Sequence, residues 1–537
     1  MTLSFNLLER PWIPCVVRCS SHAVELSLRD VLVRAQEIVE LADQSPLVTA
    51  ALYRLLLAVL HRVFGPPTID AWVRIWRAGQ FDAHALDEYF SRWRDRFDLF
   101  HPERPFYQRA DLAPDLANPI GSDAPNTSPL GSDLPGAANP PLFDHATYAG
   151  PRLLTPAEAA RYVLVCQTFA MSGLIRKAGQ TSAEGSHVLR GAVVLNLGRN
   201  LFETLMLNLV RYDGTAPFEF DLAADRPAWE DDPPPLQPDP PTNRTRAVRG
   251  YLDLLTWQAR LLLLLPDASG NVSKLVRLEG WRIAKEDPLQ AKETMLAFRY
   301  LERRSGHGSW VPLGFTPERA LWRDATALLV ETHSSGKLQT QPPAVVHWVK
   351  TLVDGGWLSD TYPATLAAFG IAADQSKAHL WRREAFPLPL AYLKGPDWVG
   401  RLQRNLALSE RAHEHLHRAL RRLASHALAV TADGQAQRER VDQLVKSFQS
   451  ERVYWSWLDV PARVLIANLP ARPDEAEAEW REAVREAARQ SFAAAVNALA
   501  GDATGLRAAA LTRPSFEGDL ARLLGPSNLT SPASAIP

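Results

Sequence analysis

One segment of the sequence, 398–428, carries a pattern that matches a named catalytic motif. His413-Glu414-His415-Leu416-His417 fits H-E-x-x-H, which on a helix sets two imidazoles one turn apart to bind zinc beside a carboxylate that activates water. Glu439 follows at a spacing suited to a third ligand. No glycine and third histidine come after it, as the elongated zincin motif requires. Both histidines also project close to the leucine face of the helix, where a histidine is commonly an edge residue of a bundle core. A zinc hydrolase is therefore the alternative reading, and no metal ligand is assigned.

The same segment offers a second chemistry. At 100° per residue, Leu402, Leu406, Leu416, Leu420 and Leu423 share one face, and Arg404, Arg411, Arg418 and Arg422 share the opposite one. The four guanidiniums extend over roughly 27 Å at ~1.5 Å per residue. Such a row can follow a nucleic-acid backbone, touching phosphates without reading bases. A solvated face on a bundle exterior has the same pattern. Other catalytic signals are missing: the sequence has no G-x-S-x-G elbow, and Gly336-Lys337 lacks the rest of a phosphate loop. Cys15, Cys19 and Cys166 form neither a disulfide framework nor a C-x-x-C pair, which fits a reducing, cytoplasmic setting. Nothing points to a catalytic residue or a cofactor, and the chain reads as a binding and assembly protein rather than an enzyme.

Charge limits what that binding can be. Lys plus Arg is 59 and Asp plus Glu is 60, a formal net charge of -1. A protein that grips DNA unaided is usually basic, because cation–phosphate contacts supply most non-specific affinity. Near neutrality favours a local basic patch, or a subunit whose partners bring the charge. Apolar runs such as Arg260–Pro266 fall short of the ~20 residues that span a bilayer, and no secretory signal opens the chain, so no membrane role is expected.

The elements that must position these groups divide the chain. At 537 residues it is too long for one core. An N-terminal mixed α/β domain is expected over 1–388, a C-terminal four-helix bundle over 389–524 and a frayed tail over 525–537, an α+β chain overall. FNLLERPWIP (Phe5–Pro14) reads as an extended apolar strand, and Pro46–Pro66 as a helix with almost no polar face, which has to be buried. Polar, proline- and glycine-rich stretches at Leu112–Pro141 and Asp231–Thr242 break the first domain. Helices are expected at Trp398–Leu428, Gln435–Trp457, Pro473–Ala500 and Gly505–Leu524, joined by short turns.

FNLLERPWIP and its buried helix, GRNLFETLMLNLV (Gly198–Val210), AVRGYLDLLTWQ (Ala247–Gln258) and ADQSKAHLWRRE (Ala373–Glu384) resemble segments of the CasA family, in that family's order. CasA is the large subunit of the type I-E CRISPR surveillance complex Cascade. The resemblance implies a chain that reads a short flanking motif, the PAM, while guide RNA reads the long target. It implies reading from the minor groove, whose pattern is degenerate. Family members drive a glutamine wedge under the PAM to unstack the first target pair. Gln375 matches that position here, beside Asp374. The family's glycine loop falls within Gly179–Gly191, around Gly185 and Ser186, and its basic finger within Leu278–Asp287, with Arg282 and Lys285 both open as candidates. LFDHAT matches a loop near the base of the complex, giving Phe143, Asp144 and His145. Implied partners are the Cascade backbone and small subunits with guide RNA, double-stranded target DNA, and a helicase–nuclease that does the cutting. The mid-chain cysteine cluster of some relatives is absent, so zinc is not carried over.

Overall fold

The computed structural model describes residues 3–18, 20, 22–112, 127, 130–134, 152–173, 183–232, 244–284, 287–302, 308–334, 337–374, 377–428, 435–501 and 503–525. The chain forms two compact units. The first is Met1–Pro317 with Ala327–Ala385, and the second is Glu318–Thr326 with Phe386–Pro537. The division thus falls a few residues before 388, and a short segment from inside the first region joins the second.

The opening decapeptide is not one extended strand. Asn6 accepts from Leu8 N–H on its side-chain oxygen at 3.0 Å and from Arg10 N–H on its carbonyl at 2.8 Å, which folds Leu7–Arg10 into a turn. The Trp12 indole N–H closes the turn onto the Leu7 carbonyl at 2.9 Å, and the strand begins only at Ile13.

Helix α1, Pro46–Phe64, has Ser45 as N-cap, its side chain accepting from the N–H groups of Leu47 and Val48, with Pro46 at the first helical position. Every residue from Leu47 to His61 is buried. With 19 residues it is long and apolar enough by composition to cross a membrane, longer than the sequence reading allowed, but most of it lies inside the fold. It packs against Pro156–Thr168, Tyr251–Leu255 and Ala364–Asp374. Such burial makes any polar member expensive unless it is partnered. Arg54 meets this with a paired carboxylate: its two terminal nitrogens lie 2.9 and 3.0 Å from the oxygens of Glu293, and Nη2 also donates to the Leu254 carbonyl at 2.8 Å. His187 Nε2 completes the cluster 2.9 Å from Glu293 Oε2.

His61 on α1 is uncharged for the same reason. Its Nδ1–H donates to the Leu57 carbonyl at 2.8 Å, its ring meets the edges of Tyr212 and Tyr251, and burial pushes its pKa down to about 4. An unfolded chain takes up this proton near pH 6.5, which the folded chain resists. The stability that depends on neutral His61 is therefore complete above about pH 6.5 and declines as pH falls toward 4, by up to about 3 kcal/mol. Urea midpoints measured across that window should fall with pH in the native chain and fall less steeply in His61→Gln.

Two sheets matter for the site. Strand β1 (Val193–Leu197) pairs antiparallel with β4 (Ala364–Asp374), which is followed in the same sheet by β5 (Lys377–Leu388). Strands β2 (Arg260–Pro266) and β3 (Val272–Glu279) form a separate antiparallel hairpin in which Arg260 faces Glu279 in register. The polar stretch after Leu112 also reaches the core: Leu112, Leu130 and Leu134 are buried, and the side chain of Asp133 takes hydrogen bonds from Ser45 and Tyr162. That stretch is otherwise outside the described residues, as is 233–243 within the proline-rich strap.

In the second unit, helices α2 (Pro396–Ala427), α3 (Ser450–Asn468), α4 (Pro473–Leu499) and α5 (Ala503–Leu524) pack as a bundle. The single helix expected over Gln435–Trp457 is two. Gln435–Ser447 ends before Gln449, whose φ of 49° lies in the left-handed region and forbids continuation. Pro461 sits inside α3, where it leaves the Trp457 carbonyl without an intrahelical donor, next to an exposed side chain. The segment Glu318–Thr326 plugs this unit: Trp322 is 1% exposed and meets Trp480 edge-on at 6.0 Å and Trp455 at 6.1 Å. Arg323 lies 3.4 Å over the Trp455 ring and pairs with Glu410 at 2.8 Å.

Candidate nucleic-acid interface

The H-E-x-x-H residues do not converge on a metal site. His413 is half-buried, its ring 5.4 Å from that of Tyr454 and 5.2 Å from that of Trp455, and burial lowers its pKa. Glu414 and His417 are exposed, and Glu439 is exposed on a separate helix. Among the described residues no group of three or more His, Cys, Asp or Glu side chains is placed to hold an ion. The zinc hydrolase reading finds no support in this geometry.

The arginine row keeps three members. Arg404, Arg411 and Arg418 are exposed, and none forms an ion pair among the described residues. Arg422 differs. It is half-buried and donates to Asp519 on α5 at 3.2 Å, so its charge is already compensated. Many arginines elsewhere in this unit, such as Arg401, Arg421, Arg463 and Arg489, sit on carboxylates. Arg440, Arg452, Arg507 and Arg513 are likewise exposed without an ion pair among the described residues, so what sets the row apart is its alignment along one helix.

In the first unit the fold gathers residues that are far apart in sequence. Gly185 lies in a turn so close to its neighbours that a Cβ there would come within 2.5 Å of Leu189 Cδ2 and 3.2 Å of the Ala170 carbonyl oxygen. Ser186 is buried, with its N–H on the Ala170 carbonyl at 3.0 Å and its hydroxyl donating to the Thr168 carbonyl. What faces solvent at this turn is the Glu184 side chain, 54% exposed. Arg282 reaches the same turn from the strand end beyond β3. Its Nε donates to Glu279 Oε1 at 2.7 Å, and Nη1 lies 3.3 Å from Glu184 Oε1. These hydrogen bonds and charges raise the Arg282 pKa. The guanidinium is anchored on a buried acid on one side and an exposed one on the other.

The three-stranded sheet carries the third candidate segment in its sequence. The register runs Thr365↔Leu197 to Phe369↔Val193, after which β4 continues to Asp374 alongside the end of the Gly185–Gly191 segment. Gly370 marks this approach, since a Cβ there would lie 2.8 Å from the Gly191 carbonyl oxygen. Asp374 ends β4 and Lys377 opens β5, with Gln375 between them in sequence and outside the described residues. Lys285, Phe143, Asp144 and His145 also lie outside them. Sequence reasoning missed Glu279, Arg260 and the Arg54–Glu293–His187 cluster. Arg54, set among apolar residues in the middle of α1, was the one available sign of the last.

These features define a class: an α+β body in which a glycine-containing segment is tied to a basic strand end, joined to a helical bundle. The family model for CRISPR-associated protein Cse1 matches residues 6–491, and the chain belongs to that family. It is 35% identical over 530 residues to the CRISPR-associated protein CasA/Cse1 of Thermus thermophilus, with 97% of each chain covered. The crystal structure of Thermus thermophilus CasA superposes with a TM-score of 0.78 at 31% identity, covering 97% of this chain and all 100% of that one. A chain of a CRISPR RNA-guided surveillance complex shares the fold at 21% identity, with a TM-score of 0.72 and coverage of 96% and 99%.

Proposed function

We propose that this chain is the non-catalytic large subunit of a type I-E RNA-guided DNA surveillance complex, acting in the cytoplasm. It senses a PAM in duplex DNA through the Gly185 turn and Arg282, begins strand separation with Gln375, and offers a landing surface to a helicase–nuclease. The observation that carries this reading is the Glu279 oxygen that joins the backbone beside Gly185 to Arg282, in a chain of the Cse1 family. The absent Cβ of Gly185 faces Leu189 and the Ala170 carbonyl, so glycine suits this segment's packing against its own neighbours. A single basic side chain such as Arg282 suits the degenerate pattern of the minor groove better than a rigid bidentate contact would.

Near-neutral overall charge fits a subunit that works inside an assembly. So does an exposed apolar row on α3, where Trp457, Val460 and Val464 are 49%, 67% and 40% exposed at helical spacing. A bundle surface of this kind supports packing on partner subunits. The test is a complex reconstituted with and without this chain, challenged with matched duplexes whose flanking positions are randomised. Loss of flank discrimination without the chain is expected; equal discrimination in both would remove the reading.

The arginine row adds a separable expectation. Each phosphate contact contributes about 0.9 to the slope of log affinity against log salt on duplex DNA. In the full complex, changing Arg404, Arg411 and Arg418 together to Gln should lower that slope by about 2–3. An unchanged slope would make the row a solvated face.

A further inference from the structure

Between the Gly185 turn and Arg282 stands a single carboxylate. Glu279, 5% exposed at the end of β3, receives on one oxygen both the Glu184 backbone N–H at 3.1 Å and Arg282 Nε at 2.7 Å. The turn and the basic strand end thus share one acceptor atom, and displacing either disturbs the other.

Directly across the hairpin is Arg260, 2% exposed. Its Nη2 donates to the Met171 carbonyl at 2.7 Å and the Glu184 carbonyl at 2.9 Å, and its Nη1 to the Ala259 carbonyl at 2.7 Å. Met171 and Glu184 lie on the two sides of a neck that Gly173 and Ala183 close by reciprocal backbone hydrogen bonds of 3.0 and 2.8 Å. Gln167 then locks the Arg260 backbone, accepting its N–H at 2.9 Å and donating to its carbonyl at 2.8 Å. Burial lowers the Arg260 pKa to about 10, and the charge of Glu279 acts in the opposite sense. A buried guanidinium satisfied mainly by carbonyls, with an acid nearby, adds little net stability compared with an apolar residue. It does hold chain segments at a fixed separation.

We propose that the cross-strand pair Arg260–Glu279 is a positioning bracket: it sets the spacing between the Gly185 turn and Arg282, and so determines how sharply the flanking motif is discriminated. The inference rests on the reading of those two elements as the PAM sensors. Neither bracket residue faces the DNA in this scheme. Glu279 fixes the direction of Arg282, and Arg260 fixes the neck that immediately precedes Gly185.

The experiment uses the reconstituted complex with two targets. One is a matched duplex with randomised flanking positions, and the other is the same target pre-opened as a bubble that needs no PAM-driven melting. Glu279→Ala removes an acceptor for two donors, and the ratio of binding between best and worst flanks should shrink at least ~10-fold. Binding to the bubble should stay within about twofold, because assembly and guide pairing are untouched. Glu279→Gln keeps an acceptor for Glu184 N–H but not the charge, and should fall between the two. Arg260→Lys, which keeps charge but loses the fork, should shrink the ratio as well. Equal loss on duplex and bubble, or no loss at all, overturns the bracket. Arg282→Ala is run alongside to separate failures: a ratio that collapses with Arg282→Ala but survives Glu279→Ala sinks the bracket alone. A ratio that survives both sinks the sensor reading beneath it too.

Discussion

Gln375→Ala in the assembled complex is expected to slow opening of PAM-bearing duplex by on the order of 10²-fold, while leaving binding to a pre-opened target nearly unchanged. The magnitude follows from the wedge reading. Unstacking a base step costs a few kcal/mol, and a side chain that offsets about 2–3 kcal/mol of it corresponds to roughly two powers of ten. In sequence Gln375 follows β4, which continues to Asp374 beyond its last register pair with β1. Stopped-flow unwinding with a base analogue at the first target pair measures the step directly. Equal rates for native and variant complexes would remove Gln375 from the mechanism. Gln375→Asn, which keeps the amide but shortens the reach, should be closer to Ala than to Gln if length is what matters.

The second large effect concerns folding. Arg54 and Glu293 are 2% and 3% exposed, and Arg54→Met should destabilise the chain by about 3–5 kcal/mol, because the carboxylate is left buried without its guanidinium. Burial pushes Glu293 up, but the Arg54 charge and the His187 hydrogen bond outweigh it and hold the carboxyl well below the usual range. Stability from this group is therefore present above the ordinary Glu value of about 4.3 and is lost only as pH falls below it. Arg54→Met combined with Glu293→Met should recover at least half of the loss, since a buried pair can often be replaced by apolar groups of similar volume. Urea unfolding of the single and double variants distinguishes this from a simple packing defect, in which the two changes would add.

Much of the architecture was legible because periodicity records burial. Helix α1 reads as apolar on all sides, and every position from Leu47 to His61 is buried. The long bundle helices follow from leucine spacing and from Pro473, at a helix start. The break at Gln449 was not legible, because Lys446–Glu451 contains no glycine or proline to mark a left-handed residue. The opening decapeptide misled for a related reason. Its apolar residues suggested a strand, but Asn6 offers the backbone a turn instead. At the site, the resemblance indicated Gly185 and Arg282, yet nothing in the sequence showed that Glu279 joins them. That link depends on the β2–β3 register and on a neck nearly a hundred residues earlier, and neither has a local pattern.

The Trp322 segment has a practical meaning for anyone dividing the protein. The covalent chain crosses between the two units three times, at Pro317/Glu318, Thr326/Ala327 and Ala385/Phe386. A C-terminal fragment cut at the last crossing would lack Trp322 and Arg323, leaving the faces of Trp455 and Trp480 uncovered and Glu410 without the guanidinium that stacks on Trp455. The matching N-terminal fragment would carry a large indole with nothing to enter. In graph terms the helical unit is an insertion-linked module on three covalent tethers rather than a terminal appendage on one. Exchange of bundles between relatives would have to carry nine residues from mid-chain along with the C-terminus.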